Sequence, residues 1–223
     1  MTAFSDLQTL VSRDLADPGL QTFDVDAVKD FIQQGLAELA RVAPEQFQED
    51  LTPVDGQLEY PLRSAIFAVP PPEIRLVRVE VWTGVPARFK SKIKSKSGQL
   101  TRDSIAGWEV WAGVLELPST VIDNYVYAAT DTIRVWGYSP YAPIVNDADV
   151  VPVSAALELA LRTFCRIEGM RRLIGSRVLF KQWQTKSNNT DVTLGQLNSD
   201  LTAAEEQWRR LSRALRVPEQ SPD

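Results

Sequence analysis

The sequence predicts an α+β fold: a helical bundle of two N-terminal and two long C-terminal helices, with an antiparallel β unit inserted between them. Three observations predict it. Apolar residues recur at helical steps of three and four near both ends of the chain. Over roughly 50–140 the pattern changes to short runs of strand-forming residues set off by turn residues. The length, 223 residues, suits one domain of fair size or a domain with a large insertion. The predicted organisation is one helical domain from 1–48 and 150–216, a β domain over 49–149, and a tail at 217–223.

Leu7, Leu10, Val11 and Leu15 form the stripe of a first short helix, with Ser5 as its expected cap and Gln8 at capping-box spacing. Asp17-Pro18-Gly19 stops it. Asp24 caps a second helix that runs to about Val42, with Phe23 and Val28 spaced as a hydrophobic staple. Its stripe is Val25, Val28, Ile32, Leu36 and Leu39, and Pro44 closes it. Strands are expected from about Leu51: Leu58–Leu62, then Ile74–Trp82, where Val77, Val79 and Val81 oppose Arg78 and Glu80. Ala112-Gly113 is a two-residue hairpin turn between Trp108–Trp111 and Val114–Leu117. The four tryptophans of this region, Trp82, Trp108, Trp111 and Trp136, should be mostly core. Trp108 and Trp111 fall on opposite faces of an ideal strand, so one of them is expected at the surface. Thr132–Tyr138 is a further strand.

Pro152 opens a third helix, through about Leu173, on Val153, Leu157, Ala160, Phe164 and Ile167. Lys186–Thr190 reads as loop. In the last helix Leu194, Leu197, Leu201, Ala204, Trp208, Leu211 and Leu215 form an unbroken seam. Glu205–Arg209 and Glu206–Arg210 have the spacing of supporting ion pairs. The seam packs either on its own domain or on a neighbouring subunit.

Composition narrows the chemistry. The chain has no histidine and one cysteine. That removes the commonest general base and metal ligand, Ser-His and Cys-His nucleophiles, intrachain disulfides and cysteine zinc sites. Neither glycine-rich phosphate loop occurs, and Cys165, beside Phe164, reads as a small core residue. The carboxylate groups Asp24/Asp26, Glu49/Asp50, Asp147/Asp149 and Glu205/Glu206 each have a better structural account than a catalytic one. The expectation is therefore no catalytic residue, no metal site and no cofactor. No stretch approaches the roughly 18 apolar residues of a membrane span, and the first residues lack the pattern of a signal peptide. A soluble protein made inside the cell is expected.

Charge is unevenly spread. Residues 1–60 carry a net −9, residues 61–160 are balanced, and residues 161–223 carry +4. Such polarity suits association between opposite patches, or is simply that of solvated helix faces. The run Arg88, Lys90, Lys92, Lys94, Lys96, continued by Arg102, places lysines at every second position. It reads either as a lysine-protected edge or as a basic arm that meets phosphates or an acidic partner.

The order of elements carries a resemblance. Phe23-Asp24-Val25-Asp26 leads into Phe31–Ala40, followed by Leu51–Leu62, Arg134-Val135-Trp136-Gly137-Tyr138, and Asp147-Ala148-Asp149 before a proline-initiated helix. Over about 1–174 this resembles the head-to-tail connector adaptors, or head completion proteins, of tailed bacteriophages. The resemblance implies a structural virion protein at the head–tail junction, made in the host bacterial cytoplasm. It implies a ring, commonly of twelve copies, docked on the portal protein and joined to a tail, stopper or tail-completion protein. Double-stranded DNA would pass through its channel without sequence specificity, and no membrane is involved. On that reading the tail residues Val217, Pro218, Glu219 and Gln220 contact the portal, and Leu194, Leu197, Leu201, Trp208, Leu211 and Leu215 are candidate interface residues. The alternative is a non-enzymatic nucleic-acid-binding module that uses the basic 88–102 arm.

Overall fold

A computed structural model of the chain describes residues 2–54, 56–64, 66–67, 73–83, 88–93, 107–117, 131–144 and 146–215, with 88–93 described as backbone only. The chain divides into two compact units, one from the described residues of Met1–Ala43 and Tyr141–Val217, the other from those of Pro44–Pro140. The fold is α+β: an N-terminal helical pair, a C-terminal group of three helices, and an inserted antiparallel β unit.

In the helical unit, α1 spans Phe4–Asp14 and α2 spans Val25–Val42. The expected Ser5 cap is corrected. The helix starts two residues earlier than that cap implies, its N-cap is Ala3, and no side chain caps it. Its first amides are instead satisfied by the loop before the third helix: Phe4 N–H donates to Asp149 O (2.9 Å) and Ser5 N–H to Asp147 O (3.1 Å). Asp24 caps α2 as expected, its carboxylate accepting from Ala27 N–H at 2.7 Å. Phe23 and Val28 are both buried, but Val25 is 39% exposed and leaves the predicted stripe, while Phe31 is fully buried.

The expected two C-terminal helices are three. α3 spans Ala155–Gly175, α4 spans Arg177–Lys186 and α5 spans Leu194–Leu215. Ser176 ends α3 and caps α4, accepting from Leu179 N–H at 3.3 Å. α4 buries Phe180 and Trp183, and the Trp183 indole N–H donates to Leu15 O at 2.9 Å. Thr193 and Gln196 form a reciprocal capping box at the start of α5. These helices share one core, to which Leu7, Phe31, Ile32, Leu161, Cys165, Met170 and Leu197 contribute. α2 and α3 approach closely at Gly35, where a Cβ would lie 2.5 Å from Leu161 Cδ1.

The loop between α1 and α2 is organised by Asp17, which is fully buried. Its carboxylate accepts from the amides of Gln21 (3.0 Å), Thr22 (2.9 Å) and Phe23 (2.9 Å) and from the Ser187 hydroxyl (2.6 Å). One side chain thus ties the α1–α2 loop to the α4–α5 loop.

Among its described residues the β unit has two antiparallel sheets. β1 (Glu45–Leu51), β3 (Arg75–Thr83), β4 (Arg88–Ile93) and β7 (Asp131–Ser139) form one, in the order β1-β7-β3-β4. β2 (Glu59–Pro61), β5 (Glu109–Trp111) and β6 (Val114–Glu116) form the other, in the order β2-β6-β5. Phe47, Val79, Val81, Ile133 and Val135 from the first sheet share a core with Tyr60, Trp108 and Leu115 from the second. Ala112 and Gly113, at φ of 49° and 78°, make the tight turn expected of them.

β1 begins six residues before strands were expected. Its pattern is masked because Glu45 and Glu49 lie on the same alternation as buried Phe47. Both are answered by Arg63, whose guanidinium pairs with Glu45 and whose amide donates to Glu49 Oε2 at 2.7 Å. Burial pushes the Glu45 carboxyl above its ordinary range, against the pull of Arg63. In β3 the predicted inward position of Val77 is corrected. Val77 is 44% exposed, because the register with β7 shifts between Leu76 and Arg78. That bulge lets Leu76 and Val79, three residues apart, both reach the core.

Candidate interaction surfaces

The seam of α5 is engaged within its own unit. Leu197 and Ala204 are buried, and Leu201, Trp208, Leu211 and Leu215 pack against the helical core. Trp208 meets Phe164 of α3 edge-on, with ring centroids 5.4 Å apart. Leu194 alone in the seam is exposed, at 44%. The expected Glu205–Arg209 pair is replaced by one across helices: Glu205 accepts from Arg171 at 2.8 Å, and Arg171 also holds Glu168 at 2.6 Å. Glu206 and Arg210 do pair, at 3.5 Å on the surface. Beside this cluster α2, α3 and α5 leave a groove of about 520 Å³, floored by Phe164 and Ile167 and walled by Glu38, Glu205, Trp208 and Arg209.

The outer face of the four-stranded sheet carries an arginine–tryptophan ladder. The Arg78 guanidinium lies 3.9 Å from the centroid of Trp136, and that of Arg134 lies 4.4 Å from Trp82. Carboxylates hold the arginines: Asp50 binds Arg134 through two hydrogen bonds of 2.6 and 2.7 Å, and Glu80 pairs with Arg78 at 3.2 Å. The indole N–H groups donate to Glu80 (Trp82, 2.9 Å) and Gln48 (Trp136, 3.1 Å). The expectation that most tryptophans of this unit are core is therefore corrected. Only Trp108 is buried, Trp82 and Trp136 are half-buried in the ladder, and Trp111 is 81% exposed. The sequence signal was Arg134-Val135-Trp136, an alternation that sets Arg and Trp on the face opposite a core valine.

Of the basic arm, Arg88, Lys90 and Lys92 fall in β4, where the backbone register pairs Arg88 with Thr83 and Lys92 with Glu80. The strand is continuous, but its register with β3 passes from Phe89 to Ser91 with a shift at Val81/Trp82, so the pairing skips Lys90. Lys94, Lys96 and Arg102 lie outside the described residues, as do Val217, Pro218, Glu219 and Gln220 of the tail.

Asp147 and Asp149 serve the start of α1. The Asp147 carboxylate accepts from Gln8 (3.1 Å) and pairs with Lys29 (3.0 Å), and these two partners hold its pKa below the usual carboxylate value. Asp149 accepts from Asn146 N–H at 2.8 Å. Cys165 is buried in the core, and burial pushes its thiol pKa up, away from reactivity. Among the described residues no group of three or more Cys, Asp or Glu side chains is placed to hold a metal ion, and no helix is long and apolar enough to cross a membrane. No family model matches the chain, and no curated protein matches its sequence.

Proposed function

We propose that this chain is a structural, non-enzymatic head-to-tail adaptor that assembles as a ring on a portal protein and extends a DNA channel toward the tail. The observation that supports this reading best is the architecture. Both ends of the chain build one helical unit, and the β unit is inserted between them, in the element order on which the resemblance rests. The charge distribution is consistent with it. A closed ring with head-to-tail contacts needs two different complementary patches on each subunit, and the acidic 1–60 and basic 161–223 regions offer them. A net charge of −5 suits a conduit along which DNA slides rather than binds.

The experiment is electron-microscopic imaging of the purified chain, alone and mixed with a phage portal protein. Rings, or new density capping the portal, are the expected result. A monodisperse monomer that leaves the portal bare would overturn the adaptor reading.

A further inference from the structure

The two most exposed large hydrophobic side chains among the described residues are Trp111, at 81%, and Val178, at 78%. At that exposure neither is covered by the rest of its own chain. Trp111 stands beside carboxylates, and Val178 beside cations.

Trp111 lies on the outer face of the three-stranded sheet. Strand alternation puts Tyr60 and Leu115 in the core and turns the residues on either side of them outward. The register then sets two rows across the strands. Pro61, Val114 and Trp111 form one row. Glu59, Glu116 and Glu109 form the other, and all three are exposed. The rows lie about 7 Å apart, two residues along a strand. Glu116 has a glutamate directly opposite it on each neighbouring strand, an arrangement that destabilises a sheet. Glu59 and Glu116 have no ion pair among the described residues.

Val178 lies on α4, which alone among the described helices contains no acidic residue. Arg177 and Lys181 are exposed and have no ion pair among the described residues. At about 100° per residue, Val178 is roughly 160° around the helix from buried Phe180 and roughly 140° from buried Trp183, so it sits in the middle of the outer face. Lys181 is about 60° from Val178 and Arg177 about 100°, both on the same side of it. The helix therefore presents an apolar residue flanked on one side by two cations, and the sheet an apolar row flanked by carboxylates. The spacings agree. Arg177 and Lys181 are about 6 Å apart along the axis, against about 4.8 Å between neighbouring strands. Val178 and Lys181, as i,i+3 neighbours, are about 5–6 Å apart, against about 7 Å between the two rows.

We propose that the outer face of α4 docks across the outer face of the three-stranded sheet in a second copy of this chain. Val178 packs against Trp111 and Val114, and Arg177 and Lys181 lie over the glutamate row. The contact joins unlike patches, one on each unit, so it passes from copy to copy as a ring requires. It rests on the self-association part of the adaptor reading. A phosphate backbone would also accept the cations of α4, but it would bury neither Val178 nor Trp111.

The test uses the full chain, whose single native cysteine is buried. Val114→Cys and Val178→Cys variants are mixed at high micromolar concentration under a mild oxidant, so that a disulfide between them joins two copies. The mixed disulfide is expected in about tenfold excess over either homodimer, and to fade as salt rises. Adding Arg177→Glu and Lys181→Glu to the Val178→Cys chain should abolish the mixed product. Glu59→Lys and Glu116→Lys in the Val114→Cys chain should restore it. Trp111→Ser in the Val114→Cys chain should lower the yield about tenfold, as loss of a central aromatic anchor does. No excess of the mixed product, or an excess indifferent to the charge reversals, overturns the contact. So does salt-dependent binding of double-stranded DNA that is lost with Arg177→Glu and Lys181→Glu while no mixed product forms. Rings on the portal without the cross-link would remove this contact and keep the adaptor. The cross-link without portal binding would do the reverse.

Discussion

Replacing Asp17 by alanine removes the acceptor of three backbone amides and one hydroxyl inside the helical unit. Buried donors left without partners cost their full desolvation, so a loss of about 3 kcal/mol is expected in urea unfolding. A change under about 0.5 kcal/mol, the size of an ordinary surface substitution, would refute the role assigned to it. Asp147 gives a pH effect whose sign follows from its partners. Its folded pKa lies below the unfolded value, so its contribution is present above about pH 4 and is lost as pH falls through the folded value. Asp147→Asn should therefore flatten the acid limb of stability against pH and leave the neutral region unaltered in slope. Neither role was visible in the residue itself. Asp17 looked like part of a turn, and Asp147 like part of a loop, because the amides and side chains that use them lie elsewhere in the fold.

Among the elements, β7 and β3 show how backbone proximity sets a residue. A Cβ on Gly137 would lie 2.5 Å from the Arg75 carbonyl oxygen and 2.9 Å from Leu76 Cδ2. Gly137→Ala should push β3 away from β7 beside the Val77 bulge, with an expected loss of about 2 kcal/mol by thermal or denaturant unfolding. An unchanged midpoint would show that the sheet absorbs a methyl group there. On the hairpin of β5 and β6, Trp111→Ser should alter stability by less than about 0.5 kcal/mol, since the ring is 81% exposed. Most elements were legible. The Asp24 cap, the Phe23–Val28 staple and the Ala112-Gly113 turn are local devices and appear where they were expected. α4 was missed although Ser176, Leu179, Phe180 and Trp183 carry a cap and a short apolar face. Its three cations and short length hid that face.

For the whole molecule, the adaptor reading predicts portal-dependent rings. The candidate surfaces were legible to different degrees. The α5 seam was read from its spacing, and the structure engages it in the chain's own helical core through Phe164 and Trp208. The arginine–tryptophan ladder was not read, because its partners come from three strands whose registers no local pattern reveals.

Periodicity, caps and turn chemistry were enough to establish the helices at both ends, the inserted β unit and the hairpin, because those signals act over a few neighbouring residues. They also made Cys165 a core residue. The start of β1, the bulge at Val77, the buried Asp17 junction and the separate helix α4 required the folded chain. In each, a polar or mispatterned residue is made tolerable by a partner distant in sequence: Arg63 for Glu45 and Glu49, β7 for Val77, and Ser187 for Asp17. The Trp183 indole bonds in the same way to the Leu15 carbonyl. Burial of a polar group is decided by whether a partner reaches it, and that is a property of tertiary contact rather than of local sequence.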